Sequence, residues 1–362
     1  MPFRPDPDAL VARIAGWQST GSAPFPEGLF PAWRTHRLLP SRVPDDSVFF
    51  TAVTVYTLHG LRDGLSEASR RTVDAVAARA VATYPRYLNN EGWPMYNFWQ
   101  TTPEDRFFPN GRLLSRFRHF RLPEDVDTTA YIYLTRPHPP EDAARLKDRL
   151  VLDTNGHRRQ IRSTLPRYRH LPAYTTWLAQ ENMPLDFDVC ALANLMLMIH
   201  AYALPQNAHD AATIRFITEV IRHGDHLRHP FRVAPWYADP ALILYHVARL
   251  VACTDYDGLA ALRPRLAADA RRLAETAPTV FHRILCSTAL LRLGEPAALD
   301  AYPDDLDDRL GHFHFFVGSL LTAVDHPVAR WLAPWEGLRL RYHCPAHTLA
   351  LLLEHEVLRT TR

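Results

Sequence analysis

Two carboxylates one residue apart, followed by two hydroxyls, are the side chains of this protein best suited to acid chemistry. They occur as Asp125-Val126-Asp127-Thr128-Thr129, directly before an apolar stretch. When two carboxyl groups share a site, each disfavours the negative charge of the other, so the pKa of one rises and it keeps its proton. The same pattern also suits a plain helix start with threonine as the N-cap residue. The element that carries the motif therefore has to be identified first.

The motif precedes one of six apolar helical segments that recur along the chain. Five of the six follow a proline, at positions 44, 123, 184, 235 and 278, and the sixth begins at Cys344. Between them lie amphipathic segments such as LSEASRRTVDAVAARAVATY and AHDAATIRFITEVIRH, with apolar residues at i, i+3 and i+4. A helix that is apolar nearly all round must be buried, whereas an amphipathic helix covers it from outside.

Six buried helices that alternate with outer helices predict an all-α fold, an (α/α)6 toroid whose inner helices ring a central cavity. An open superhelical array is the alternative, but the steps between successive buried segments are too irregular for a fixed repeat. We predict one toroid domain over residues 1–362, with an N-terminal helix and loop, residues 1–40, packing on its outside. The 30 prolines against only 14 glycines also disfavour glycine-dependent folds.

The N-terminal ends of all six inner helices would meet at one rim of such a toroid, and acidic residues occur at these places in the sequence. A carboxylate there accepts hydrogen bonds from unpaired N–H groups and is stabilised by the helix dipole. For Asp45, Asp186 and Asp239 we therefore expect helix capping. Capping alone does not explain the doubled acid of Asp125 and Asp127.

The stretch LPEDVDTTAYIYL resembles the signature of class II terpene cyclases, whose general DxDD motif becomes DxDTT in the drimenyl diphosphate synthase branch. In that family the middle aspartate is the general acid that protonates a terminal alkene or epoxide, and Asp127 stands at the matching position. The resemblance also implies an α/α toroid. It further implies a linear isoprenoid substrate, with farnesyl diphosphate as the first expectation, and an isomerase of the intramolecular lyase type.

This chemistry sets requirements for the surroundings of Asp127. Asp125 would accept the hydrogen bond of the protonated acid. Thr128 and Thr129 would donate hydroxyl hydrogen bonds to the carboxylate as it forms. A carbocation also needs a dry cavity lined by aromatic faces. The substrate-binding residues that we expect near the acidic rim are Phe50, Asn97, Trp99, Asp188 and Tyr237.

A diphosphate group would need a basic site, and arginines cluster on both sides of the motif. Before the motif we expect Arg112 and Arg116 to contact the substrate, and a second group of arginines follows between positions 158 and 169. No cofactor is expected apart from Mg²⁺ with a diphosphate substrate. Asp45 and Asp46 could assist such a metal, but two carboxylates are too few to define a metal site.

Three other interpretations stay open. Toroids of this kind also host glycoside hydrolases, in which Asp127 would work with Asp188 or Asp239, roughly 5–10 Å apart across a polar groove. A zinc-dependent prenyltransferase subunit would draw ligands from the HCPAH stretch that begins at His343, although helix packing explains those side chains better. The last alternative is a non-catalytic toroid that binds a lipid or a partner protein.

Net charge, apolar runs and cysteine spacing bear on which kinds of partner and which cellular location we expect. With 41 basic and 39 acidic side chains the net charge is +2, so no global field favours nucleic acid or an anionic membrane. The N-terminus lacks a signal-peptide pattern, and no apolar run reaches about 18 residues. We therefore expect a soluble cytoplasmic protein without a transmembrane segment. The four cysteines lack CxxC spacing, which disfavours a disulfide framework or a structural zinc site, and the oligomeric state stays open.

Overall fold

The computed structural model describes residues 4–36, 42–102, 121–178, 184–299, 301–303, 305–310, 313–319, 321–322, 324 and 326–361. Its helices are α1 (Pro7–Gly16), α2 (Phe49–Leu61), α3 (Glu67–Thr83), α4 (Val126–Thr135), α5 (Pro140–Leu152), α6 (Val189–Ala201), α7 (Ala208–His223), α8 (Asp225–Arg228), α9 (Pro230–Val233), α10 (Pro240–Cys253), α11 (Arg263–Glu275), α12 (Val280–Arg292), α13 (Leu306–Arg309), α14 (Pro327–Leu332) and α15 (Pro345–Thr360). Its strands are β1 (Ala32–His36), β2 (Arg42–Asp45), β3 (Phe316–Ser319) and β4 (Arg339–His343). The chain is therefore mostly helical, with a small sheet.

Six helices are buried nearly all round, namely α2, α4, α6, α10, α12 and α15. Each packs against the next in this order, and α15 packs against α2, so the contacts close into a cycle. The N-terminal ends adjoin: the N–H of Trp236, just before α10, donates to Asp188, just before α6. His282 at the start of α12 lies 3.1 Å from Asp239 before α10. The six apolar segments predicted from the sequence are thus confirmed as buried helices.

Amphipathic helices cover these six from outside. α3 lies against α2, α7 against α6, and α11 against α10 and α12, while α1 packs on α15 and α3. The sequence of α7 shows how such a helix is bounded. Asn207 and Asp210 form a capping box at its start, and Gly224, with φ +70°, ends it in the left-handed conformation. The alternation of buried and amphipathic helices agrees with the prediction.

The strands form an antiparallel sheet in the order β2-β1-β4-β3, so the prediction of an all-α fold is wrong. β1 pairs with β2 at Ala32 and Asp45, and with β4 at Trp33 and His343. Because β2 leads into α2 and β4 leads into α15, the sheet lies at the N-terminal ends of these helices. Each strand has only four or five residues and β1 pairs with a strand near the far end of the chain, which hides the sheet from sequence patterns.

Two further features bear on the class of the protein. Within the ranges given above, no helix is both long and apolar enough to cross a membrane. All four cysteines are free. Burial raises the pKa of the Cys286 and Cys344 thiols to about 12, so these two side chains behave as small apolar core residues.

Gly28 occupies a position that requires glycine. Its φ is +84°, and a Cβ there would lie 2.2 Å from the carbonyl oxygen of Arg79 on α3. We expect Gly28→Ala to lower the free energy of unfolding by about 2–4 kcal/mol, because left-handed φ costs alanine about 1–2 kcal/mol and α3 must also shift. Gly156→Ala is the control, since its φ is +91° but no atom lies within 4 Å of the new methyl group. Equal losses in urea unfolding would contradict the close contact.

Candidate functional site

Asp127 lies in the first turn of α4 and is bound by side chains that come from α6 and from the segment before α10. Its Oδ1 accepts a hydrogen bond of 2.6 Å from Nδ2 of Asn194, and its Oδ2 accepts one from the hydroxyl of Tyr237. All three residues are at most 5% exposed. Burial raises the pKa of Asp127 to about 6, and the two hydrogen bonds oppose that rise. We name Asp127, Asn194 and Tyr237 the Asp127 centre.

Arg249 on α10 places a positive charge next to the Asp127 centre, on the far side of Asn194 from Asp127. Its guanidinium donates to Oδ1 of Asn194 and to the hydroxyl of Tyr131, both at 2.6 Å. It also lies 5.1 Å from the ring of Tyr56. Because the amide oxygen of Asn194 accepts from Arg249, the amide NH₂ group is turned towards Asp127. The charge of Arg249 also lowers the pKa of Asp127, so Arg249 both orients Asn194 and stabilises the carboxylate.

Asp125 caps α4 and does not share a proton with Asp127. Its Oδ1 accepts a hydrogen bond of 2.6 Å from the backbone N–H of Thr128. Burial raises the pKa of Asp125 to about 8, and the negative charge of Asp127 contributes to the rise. The expected hydrogen bond between the two carboxyl groups is therefore wrong. Since Asn194 and Tyr237 donate to Asp127 alone, Asp125 is the carboxyl that keeps its proton to the higher pH.

The two threonines of the motif have structural partners. The hydroxyl of Thr129 donates to the carbonyl of Tyr96 at 3.3 Å and accepts from its N–H at 3.0 Å. This pair holds the loop around Tyr96 against α4, so the expected donation from Thr129 to Asp127 is wrong. Thr128 is completely buried and serves Asp125: its backbone N–H binds that carboxyl, and its side chain also acts to lower the pKa of Asp125.

Aromatic rings cover the Asp127 centre on the side of the sheet. The ring centroid of Tyr237 lies 5.7 Å from those of Phe315 and Phe316, and 6.4 Å from that of Phe49. Phe316, the first residue of β3, stacks on Trp236 with centroids 5.8 Å apart. These rings keep water from the carboxylate, and their faces are of the kind that stabilises a cation.

Trp236 is held by two carboxylates and thereby fixes its neighbour Tyr237. The backbone N–H of Trp236 donates to Oδ2 of Asp188 at 2.8 Å, and its indole N–H donates to Oδ2 of Asp186 at 3.0 Å. Asp188 is fully buried and also caps α6. It is therefore a tether between two helix starts, and it makes no hydrogen bond to Asp127, although the negative charge of Asp127 helps to raise its pKa.

Capping explains some of the rim carboxylates. Asp239 caps α10 as predicted, by accepting from two backbone N–H groups. The capping predicted for Asp45 and Asp186 is wrong. Helix α2 begins after Val48, which makes no side-chain cap. The two carboxylates instead accept indole N–H groups, Asp45 from Trp99 at 2.9 Å and Asp186 from Trp236.

The other residues predicted to contact substrate lie at the same end of the helices, with structural partners of their own. Besides the indole of Trp99 bound to Asp45, the side chain of Asn97 donates to the carbonyl of Leu122 at 2.8 Å. Phe50 is completely buried in the core. The predicted substrate residue that the structure brings into contact with Asp127 is Tyr237. Arg112 and Arg116 lie outside the described residues.

The residues considered for a metal do not form a site. Asp46 accepts from Nε2 of Gln100 at 2.6 Å, and Asp45 is engaged by Trp99. Burial lowers the pKa of His347 to about 3, so its imidazole is a neutral packing group. Over the described part of the chain, no three His, Cys, Asp or Glu side chains lie together as a metal site requires. The described side chains thus do not fit a resident Mg²⁺ or Zn²⁺ ion.

Asn194 and Arg249 belong to the site around Asp127, and the sequence patterns do not single them out. Each is a polar residue within an apolar helix, in VCALANLMLMIHA and PALILYHVARLVAC. A polar side chain on a helix buried all round needs a buried partner. The sequence signal for this site was therefore a polar side chain within each of two apolar segments, the amide of Asn194 in α6 and the guanidinium of Arg249 in α10.

Comparison with known proteins does not assign the chain to a family. No protein-family model matches it, and no curated protein matches it. The interpretation of the Asp127 centre therefore depends on the geometry given above.

Asp125→Asn separates the titration of Asp125 from its capping role, because asparagine caps a helix as well as aspartate but cannot ionise. The pKa of Asp125 is about 8 in the fold, against an ordinary value of 3.8. The wild type therefore loses stability as the pH rises through this window. We expect Asp125→Asn to gain on the order of 3 kcal/mol of unfolding free energy relative to the wild type between pH 5 and pH 8.

Urea unfolding at several pH values measures this difference. Asp127→Asn is the matched control, because the pKa of Asp127 is only about 6 and its relative gain should end near that pH. A difference between Asp125→Asn and the wild type that stays constant with pH would show that Asp125 is already ionised in the fold.

Proposed function

We propose that the chain is a protonation-initiated isoprenoid cyclase of the class II terpene cyclase type, with Asp127 as the general acid. The observation that carries this proposal is a buried aspartic acid whose conjugate base has its stabilising partners already in place, Asn194, Tyr237 and Arg249. The DVDTT motif at the start of α4 agrees with it. Farnesyl diphosphate is the first substrate to test.

Protonating an alkene requires an acid that holds its proton until the substrate is bound and then releases it. Burial supports the first property, because it raises the pKa of Asp127 to about 6. The prearranged donors and the charge of Arg249 support the second, because they stabilise the carboxylate as it forms. Asp125 stays neutral to higher pH and so adds no second negative charge that would weaken the acid.

The finer fold assignment belongs to the same proposal. Cyclic packing of six buried helices, with helices on their outside and adjoining N-terminal ends, supports an (α/α)6 toroid. In such a toroid Asp127 lies near one end of the axis. The sheet then covers that end, since its strands lead into α2 and α15.

Substrate has to reach Asp127 past the rings of Phe315 and Phe316, which lie against Tyr237. β3, which begins at Phe316, is an edge strand of the described sheet: it pairs with β4, and the N–H of Val317 donates to the carbonyl of Trp236 at 3.0 Å. Displacement of these two phenylalanines would open the centre at the cost of that ladder and of the bond to Trp236. After substrate enters, the same rings would exclude water and stabilise the carbocation.

Closure of the centre also favours a second candidate function, a non-catalytic toroid that binds a lipid or a protein on its outer surface. Asp127, Asn194 and Tyr237 are at most 5% exposed, as in a filled core. The carbohydrate-active alternative has less support. Its candidate second carboxylates, Asp188 and Asp239, are both engaged as helix caps.

Asp127→Asn tests the cyclase directly. The wild type is incubated with farnesyl, geranylgeranyl and longer prenyl diphosphates, and with squalene or its epoxide, and the products are identified by mass spectrometry. We expect a cyclic product from the wild type and a rate at least about 10²-fold lower from Asp127→Asn, because the proton donor is lost.

Asp74→Asn is the control, an exposed carboxylate on α3 that pairs with Arg62 far from the centre. It should leave the rate unchanged. No cyclic product from any substrate, or equal product from Asp127→Asn, rejects the cyclase and leaves the non-catalytic toroid.

Arg249→Gln tests the electrostatic part of the proposal. Glutamine can still donate an amide hydrogen bond to Asn194, but the positive charge is gone. The pKa of Asp127 should then rise, since the charge of Arg249 lowers it. A general acid works while protonated, so the fall in activity with rising pH should move to higher pH, while the maximal rate drops because the carboxylate is less stabilised. A lower rate with an unshifted pH profile would make Arg249 a packing residue only.

A further inference from the structure

A pocket of about 340 Å³ is formed by loops before α6 and α10, by the segment after β3 and by α14. Its charged lining residues are Arg158, Arg159, Arg162, Arg232, Arg330 and Asp186. We name it the arginine pocket. Asp186, the carboxylate of the described lining, accepts the indole N–H groups of Trp177 and Trp236 through its Oδ2 and makes no ion pair with the described arginines.

The arginine side chains of this pocket lie close enough together for their positive charges to repel one another. Arg158, Arg162 and Arg232 make no ion pair with the described acidic side chains. Arg232 is fixed by a 3.0 Å hydrogen bond from its guanidinium to the carbonyl of Ser163. Burial and the charges of Arg169 and Arg330 lower the pKa of Arg232. An anion in the pocket would remove this cost and would meet guanidinium groups, whose planar forks bind phosphoryl oxygens in pairs.

The pocket also has apolar walls. Leu185, Phe187, Phe231 and Leu321 line it, so a ligand with a charged head and a hydrocarbon chain fits its two kinds of surface. Pro235 also lines the pocket, and Tyr237, two residues on, binds Asp127. From Pro235 in the pocket wall, the backbone runs for two residues, about 3.8 Å each, to Tyr237, whose side chain reaches Asp127.

We propose that the arginine pocket binds the diphosphate of an isoprenoid substrate directly, without a divalent metal, while the hydrocarbon chain runs past Trp236 to Asp127. This inference rests on the proposed cyclase function and adds to it the place where the diphosphate end of the substrate binds. Mg²⁺ needs several oxygen ligands, and the described lining offers a single carboxylate, whose Oδ2 already accepts two indole N–H groups. Arginine takes the place of the metal.

Calorimetric titration in EDTA with inorganic pyrophosphate, farnesyl diphosphate and farnesol tests the pocket. We expect both diphosphates to bind the wild type and Arg232→Gln and Arg162→Gln each to weaken pyrophosphate binding about tenfold or more. Arg71→Gln on α3, an exposed arginine paired with Glu67, is the charge-matched control and should bind as the wild type does. Circular dichroism and urea unfolding confirm that each variant is folded.

Several outcomes would overturn the inference. They are loss of all diphosphate binding in EDTA, equal weakening by Arg71→Gln, or binding to phosphatidic acid vesicles with none to pyrophosphate. Asp127→Asn separates the two proposals, because it should bind farnesyl diphosphate as tightly as the wild type. Tight binding without any cyclic product rejects the cyclase alone. Cyclisation with an unchanged KM in Arg232→Gln rejects the pocket alone.

Discussion

The rest of the site depends on one buried carboxylate, that of Asp188. Its Oδ1 caps α6, and its Oδ2 accepts the backbone N–H of Trp236 just before α10. This fixes the start of one inner helix against the approach to the next. Asn194, one and a half turns into α6, and Tyr237, next to Trp236, then reach Asp127 from two sides. The geometry of the acid is thus set by a residue that does not contact it.

The buried charges in the core alternate in sign from one helix to the next. This alternation explains how such an apolar core tolerates them. Asp127 is joined through Asn194 to Arg249. Beyond it, Glu354 on α15 accepts from Arg292 on α12 at 2.7 Å, and its negative charge supports the positive charge of Arg249. A buried charge is tolerable only when paired and hydrogen-bonded. Protonating Asp127 therefore changes the balance of positive and negative charge among four buried helices, α4, α10, α12 and α15.

The sequence predicts the buried helices well because burial on all sides leaves a run of apolar residues that few other elements share. It also places Asp127 correctly, at the start of the second such run. The sheet is not predictable in this way, since Trp33 pairs with His343, a residue near the other end of the chain. Nor is the role of Arg249, which depends on which face of α10 meets α6. Local pattern fixes elements, whereas side-chain partners from distant elements fix the site.

Helix geometry explains why the two aspartates of the motif divide their roles and do not pair. Side chains two positions apart on a helix point to different sides. At the start of α4, Asp125 is the N-cap residue and turns back to the N–H of Thr128, while Asp127, two residues on, faces Asn194 and Tyr237. Asp127 also lies where the positive end of the α4 dipole stabilises a carboxylate. A DxD spacing at a helix start thus yields one carboxyl that caps the helix and one that faces side chains from neighbouring elements.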